Sequence, residues 1–242
     1  MSGRFYRALA IGPLVEVVNL ASAEKLHQIR QESWLSDGSL EPLLDAFLAK
    51  PRHWLARDAR QGLVTGDGLE KEDVLSSFKI DAHKAAKNAG FGAQAGMLVA
   101  ALGELVGNVV DHSQDPRSAA ALFSAGKGEF EFVVADHGIG VLDSLTQNPE
   151  NAMLSDHGEA LQAMVEAGVS RFTRDTGHGN GFRPIFEKLA DMTGELRFRS
   201  GDYVLTLDGR FGDRIARQTN QKARLRGFLA AVSCKIRPRG IR

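Results

Sequence analysis

The stretch 94–111 carries Leu98, Leu102, Leu105 and Val109 at positions i, i+4, i+7 and i+11. That spacing draws one apolar stripe along a helix, and such a stripe must be buried against another part of the fold. A second row, Glu104, Asn108 and His112, repeats every four residues, about 100° around the helix from the first. Polar groups inside an apolar helix need partners, because a buried Asn or Glu left unsatisfied costs about 1 to 3 kcal/mol. Two strands are expected next, at 119–124 and 129–135, joined by Gly126-Lys127-Gly128. A helix followed by a hairpin points to an α+β fold.

Elsewhere the spacing predicts helices over 24–35, 40–49, 70–88, 156–167 and 182–192. A hairpin is expected around Gly201, pairing 195–200 with 202–207, and a last strand over 227–236 after a polar loop. Glycines at 62–68 suggest a boundary. The chain is therefore expected to divide into a mainly helical extension (1–68), one larger domain (69–237) and a basic tail (238–242).

With 25 % charged and 43 % hydrophobic residues, the chain is too apolar for disorder and too ordinary for a fibre. Its one cysteine, Cys234, cannot form an internal disulfide, which fits a reducing cytoplasm. The longest apolar run, 97–110, contains Glu104 and Asn108 and is too short to span a bilayer, so no membrane insertion is expected. Charge is balanced overall, with 30 basic and 30 acidic residues, but 209–242 holds ten Lys or Arg against one acid, Asp213. That excess reads as a solvated basic surface or as a patch for an acidic protein, RNA or a membrane surface.

Three motifs carry chemistry. Asn108 offers a neutral oxygen to a hard cation such as Mg²⁺, and Glu104 can hold an attacking hydroxyl; the same row also serves as a hydrogen-bonded helix face. Asp136-His137-Gly138-Ile139-Gly140 ends an apolar strand with a carboxylate, which can accept from an exocyclic amine, and with glycines that let the backbone pass beneath a flat ring. Alone, this motif is equally a turn in which Asp caps its own backbone. Gly177-His178-Gly179-Asn180-Gly181 precedes a helix opening near Phe182, and helix N-terminal amides beside glycines can wrap phosphates; a flexible hinge is the plainer reading. His27, His53, His137, His157 and His178 show no metal-ligand spacing.

Taken in order, ExxxN on a helix, DxGxG at a strand end and GxGxG opening a helix resemble the nucleotide-binding domain of the GHKL superfamily of gyrase, heat-shock chaperones, histidine kinases and MutL. The segment ELVGNVVDHS, 104–113, looks most like the anti-sigma-factor serine kinases and their stand-alone relatives. The resemblance covers about two thirds of the chain. It implies a two-layer α/β sandwich of the Bergerat type, with a mixed, largely antiparallel sheet covered by helices on one face. It implies ATP and Mg²⁺ as ligands, Glu104 as general base, and Asn108 as the Mg²⁺-holding asparagine. Asp136 would read adenine over the turn at Gly138 and Gly140. His112, Gly177, His178, Gly179, Asn180, Gly181 and Phe182 would complete the nucleotide site, and 155–176, with Arg171 and Arg174, would be its lid. Asn180 stands where an apolar residue is common, and the last strand opens Gly227-Phe228 where many members have Gly-Thr.

The implied function is a cytoplasmic regulator with slow ATPase or protein serine/threonine kinase activity. Alternatives are a non-catalytic ATP-dependent interaction switch and the ATP-binding part of a split histidine kinase, although no phosphoacceptor-histidine helix is present in the sequence. The implied partner is a protein: a STAS-type antagonist, a sigma factor, a response regulator, or a second copy in a homodimer. Nucleic acid is not the expected partner.

Overall fold

A computed structural model describes residues 11–20, 40–167, 194–209 and 216–236. The fold is α+β. Its six-stranded antiparallel sheet is built from β1 (His53–Leu55), β2 (Gln61–Thr65), β3 (Ala120–Gly126), β4 (Glu129–Ala135), β5 (Glu195–Asp208) and β6 (Ala216–Lys235). The strand order is β1-β2-β3-β4-β6-β5, and every pairing is antiparallel, so the parallel component expected of a mixed sheet is missing among the described residues.

Strand β4 explains the layering. Phe130, Phe132 and Val134 alternate with Glu131, Val133 and Ala135, so both faces of the strand are largely apolar and both demand cover. One face packs against α3 (Glu72–Ala86) and α4 (Ala95–His112) through Phe78, Ala82, Leu98, Leu102, Leu105 and Val109. The other packs against α1 (Ile11–Leu20) and α2 (Glu41–Ala49) through Ile11, Leu14, Leu43 and Phe47. Helices therefore cover two faces, where one was expected. An 18-residue window within Glu72–His112 is apolar enough in composition to cross a membrane. Here Phe78, Leu98, Leu102, Leu105 and Val109 of that stretch pack into the core beside the sheet, with a break at Gly90 between the two helices.

Three further expectations need correction. The segment assigned to the N-terminal extension contributes β1 and β2 to the same sheet, so the glycines of 62–68 do not separate it from the rest. Gly201 does not turn a hairpin: β5 runs straight through it, with a bulge where the register against β6 shifts. The polar stretch before 227 is strand as well, because β6 continues outward as an exposed ribbon paired with the second half of β5. The helices expected at 24–35 and 182–192 and the tail 238–242 lie outside the described residues.

Helix α1 is fixed to the sheet at two points. The carboxylate of Glu131 accepts the Ile11 and Gly12 amides at 2.7 and 3.1 Å, occupying free donors of the helix N-terminus. On the same helix, Glu16 pairs with Arg197 at 2.8 Å and with the buried Arg199. Burial pushes Glu131 up to about 8 against the pull of those amides, and Glu195 and Glu129 add to the rise. A carboxyl raised in this way binds more protons folded than unfolded, so its contribution to stability is whole below about 4.5 and is lost as pH climbs toward about 8. Urea titrations between pH 5 and 8 are expected to show falling stability, with the decline above about pH 6 shallower in Glu131→Gln. Superimposable pH profiles for the two proteins would refute this.

Candidate functional site

The loop after β4 is held by the segment that follows α4. The Ser113 carbonyl, just past the last turn, accepts the Ile139 amide at 3.0 Å, and Ser118 Oγ accepts the His137 amide at 2.9 Å. Gly138 lies so close that a β-carbon there would sit 2.0 Å from the Ser113 oxygen, so no other residue fits without moving α4 or the loop. On the other side, Gly227 at the head of the inner half of β6 has φ +76°, and a β-carbon there would meet the Asp136 carbonyl at 2.3 Å. The two glycines bring three backbone segments to within contact of one another.

Asp136 sits between them, only 2 % exposed. Its amide donates to the Phe228 carbonyl at 2.9 Å, and its Oδ1 accepts the Gly138 amide at 2.7 Å. Burial pushes its pKa up to about 6; the Gly138 and Phe228 amides oppose the rise and Asp115 adds to it. This carboxyl is thus near its titration point at neutral pH, which is common at functional sites.

Above the loop opens a cavity of about 700 Å³. Gly138, Gly140, Ser200 and Gly227 line its floor, and Ser200 Oγ accepts the Val141 amide and donates to the Gly227 carbonyl, both at 3.0 Å. The rim carries Arg224 and Arg226 as well as Asp115 and Asp143. His157, at the start of α5 (His157–Ala167), also lines it, and its Nδ1 is buried with no hydrogen-bond partner among the described residues.

The residues singled out in the sequence are brought together only in part. Gly138 and Gly140 line the cavity, whereas Asp136 lies directly behind it. Glu104 is exposed, and Asn108 and His112 are half-buried along α4; none of the three lines the cavity. The expected burial of the Glu104–Asn108 pair is not found, because their row runs along the edge of the helix's buried face and water can satisfy Glu104. Gly177, His178, Gly179, Asn180, Gly181 and Phe182, with Arg171 and Arg174, lie outside the described residues. Among the described residues no group of three or more His, Cys, Asp or Glu side chains is placed to hold a metal ion.

Arg224, Arg226 and His157 were not foreseen as site residues. The signal existed for the arginines: continuing β6 backward from Gly227 puts them at the mouth of the Asp136 loop. His157 follows Asp156, which caps α5 by accepting the Glu159 amide at 2.9 Å, a pattern readable in the sequence. The chain matches no protein-family model and no curated protein.

Proposed function

We propose that the cavity above the 136–140 loop binds ATP with Mg²⁺, and that the chain is a regulator of the GHKL kind with slow ATPase or protein serine/threonine kinase activity. The observation that carries this reading is the buried Asp136 carboxyl at a strand end, flanked by Gly138 and Gly227, which line the adjoining cavity together with Gly140. Glycines let a flat base approach the backbone, and a carboxylate there can accept a hydrogen bond from an exocyclic amine that a carbonyl-bearing base lacks.

By the resemblance Asn108 would hold Mg²⁺ from α4, reaching the phosphates from outside the cavity lining. One neutral oxygen suffices, because this ion keeps several waters and takes its remaining ligands from phosphates. When bound, Mg²⁺ supplies charge neutralisation on the phosphates. Glu104 would hold the attacking hydroxyl and receive its proton as the new O–P bond forms and the terminal phosphoanhydride bond breaks. Its exposure favours a hydroxyl brought by a partner protein, since a solvent-facing carboxylate is within reach of another chain.

Calorimetric titration of the full chain tests the reading. One ATP is expected per chain with affinity that depends on Mg²⁺, and Asn108→Ala should remove that dependence. No heat with ATP, or the same Mg²⁺ dependence in the variant, would overturn the assignment.

A further inference from the structure

Behind the 136–139 loop lies a second cavity of about 350 Å³, lined in part by His137. Its apolar wall comes from Val18 on α1, Phe47 and Leu48 on α2, and Ala135 at the end of β4. Its polar wall is rich in donors. Asn19 has a buried Nδ2 with no acceptor among the described residues, and the exposed Lys50 and Arg117 have no carboxylate partner among them. Lys50 caps α2 in the left-handed conformation, φ 50°, with its amide on the Ala46 carbonyl at 3.0 Å.

The acceptors nearby are already committed. Among the described residues Asp67 is the one acid in the lining; it holds Arg52 at 2.9 Å and faces Lys71 at 3.8 Å. The two lining hydroxyls donate elsewhere, Thr65 to the Pro51 carbonyl at 2.7 Å and Ser118 to the Asp115 carbonyl at 2.8 Å. The concave surface therefore combines an apolar side with one orphaned buried donor and unpaired positive charge, the complement of an anionic head on an apolar body.

We propose that this cavity binds a small phosphate monoester, with Lys50, Arg117 and Asn19 facing the phosphate and Val18 and Phe47 facing the organic group. The site does not rest on the ATP reading; it uses other side chains on the opposite side of the loop. His137 reports on it directly. Burial holds its pKa below the usual range, and the positive charges of Lys50 and Arg226 hold it down further. A dianion beside it reverses the sign of that field, so the imidazole should become easier to protonate.

The experiment is a histidine ¹H–¹⁵N NMR titration of the full chain without nucleotide, using phenyl phosphate and, separately, inorganic phosphate. Saturable shifts at His137 are expected, with its pKa rising by about one unit or more on binding. Phenyl phosphate should bind more tightly than inorganic phosphate because only it reaches the apolar wall. Lys50→Gln with Arg117→Gln should weaken phenyl phosphate about tenfold or more, since charge-assisted hydrogen bonds are about twice as strong as neutral ones. Arg117→Lys alone should retain most of the affinity. Spectra of the unliganded variants verify that they fold; were the double variant to unfold, the two single Gln variants would carry the comparison. A silent His137, an affinity untouched by loss of both charges, or shifts confined to 177–181 would each overturn the proposal. Absence of ATP binding to the wild-type chain would leave it intact, which separates its failure from failure of the ATP reading.

Discussion

Glu104→Ala is expected to lower ATP turnover or phosphotransfer by about 10² to 10⁴-fold, the usual worth of general acid–base catalysis, while nucleotide affinity changes only a few fold. The separation follows from position. Glu104 is exposed on α4 and does not line the cavity, so its removal takes away no binding contact and leaves no buried group unpaired. Single-turnover rates measured beside calorimetric affinities give the comparison. Equal rates for the two proteins, both above background, would remove general-base chemistry from this residue and favour a switch that binds ATP without consuming it.

Asp136→Asn is expected to abolish detectable ATP binding and, with it, any preference for ATP over GTP. Asparagine keeps an acceptor for the Gly138 amide, so the loop should hold, whereas Asp136→Ala would leave that buried amide unanswered at a cost of about 1 to 3 kcal/mol. The wild-type carboxyl also sets a pH dependence. Being raised to about 6, it is protonated below that value and then presents a donor where adenine's amine needs an acceptor. ATP affinity should therefore rise with pH through about 6 and flatten above it. Wild-type affinity for both nucleotides in the Asn variant would dismiss Asp136 as the base-reading group.

What could be read in the sequence follows the two backbone periods. Helix α4 and the β3–β4 hairpin emerged because Leu98, Leu102, Leu105 and Val109 repeat with the helical period and the Gly126–Gly128 turn separates two apolar runs. Strands β1 and β2 did not, since β1 has only three residues and β2 is buried throughout, so neither shows an alternation, and pairing with a distant β3 decides their form. The outer part of β6 was missed for a related reason: Arg217, Gln218, Asn220 and Lys222 are exposed and carry no buried face to reveal the period. At the candidate site, Asp136 and its glycines were legible because a local motif holds them. Arg224, Arg226 and His157 belong to no such motif: the sequence places them only as positions on β6 and at a helix start, and long-range packing and cross-strand register bring them to the cavity.

The place of β6 bears on how the protein is made. It lies between β4 and β5, yet the ribosome produces it after both. Until it emerges, β4 has hydrogen-bonding groups open along one edge and β5 has no neighbour in the sheet. The helices α3 and α4 can already cover one face of β3 and β4 at that stage, but the Asp136 loop still lacks Gly227 and Phe228, which close it. Insertion of one late strand thus completes the sheet and assembles the cavity floor in the same step. A nascent chain waits for that step with an exposed strand edge, the surface on which newly made proteins misassociate.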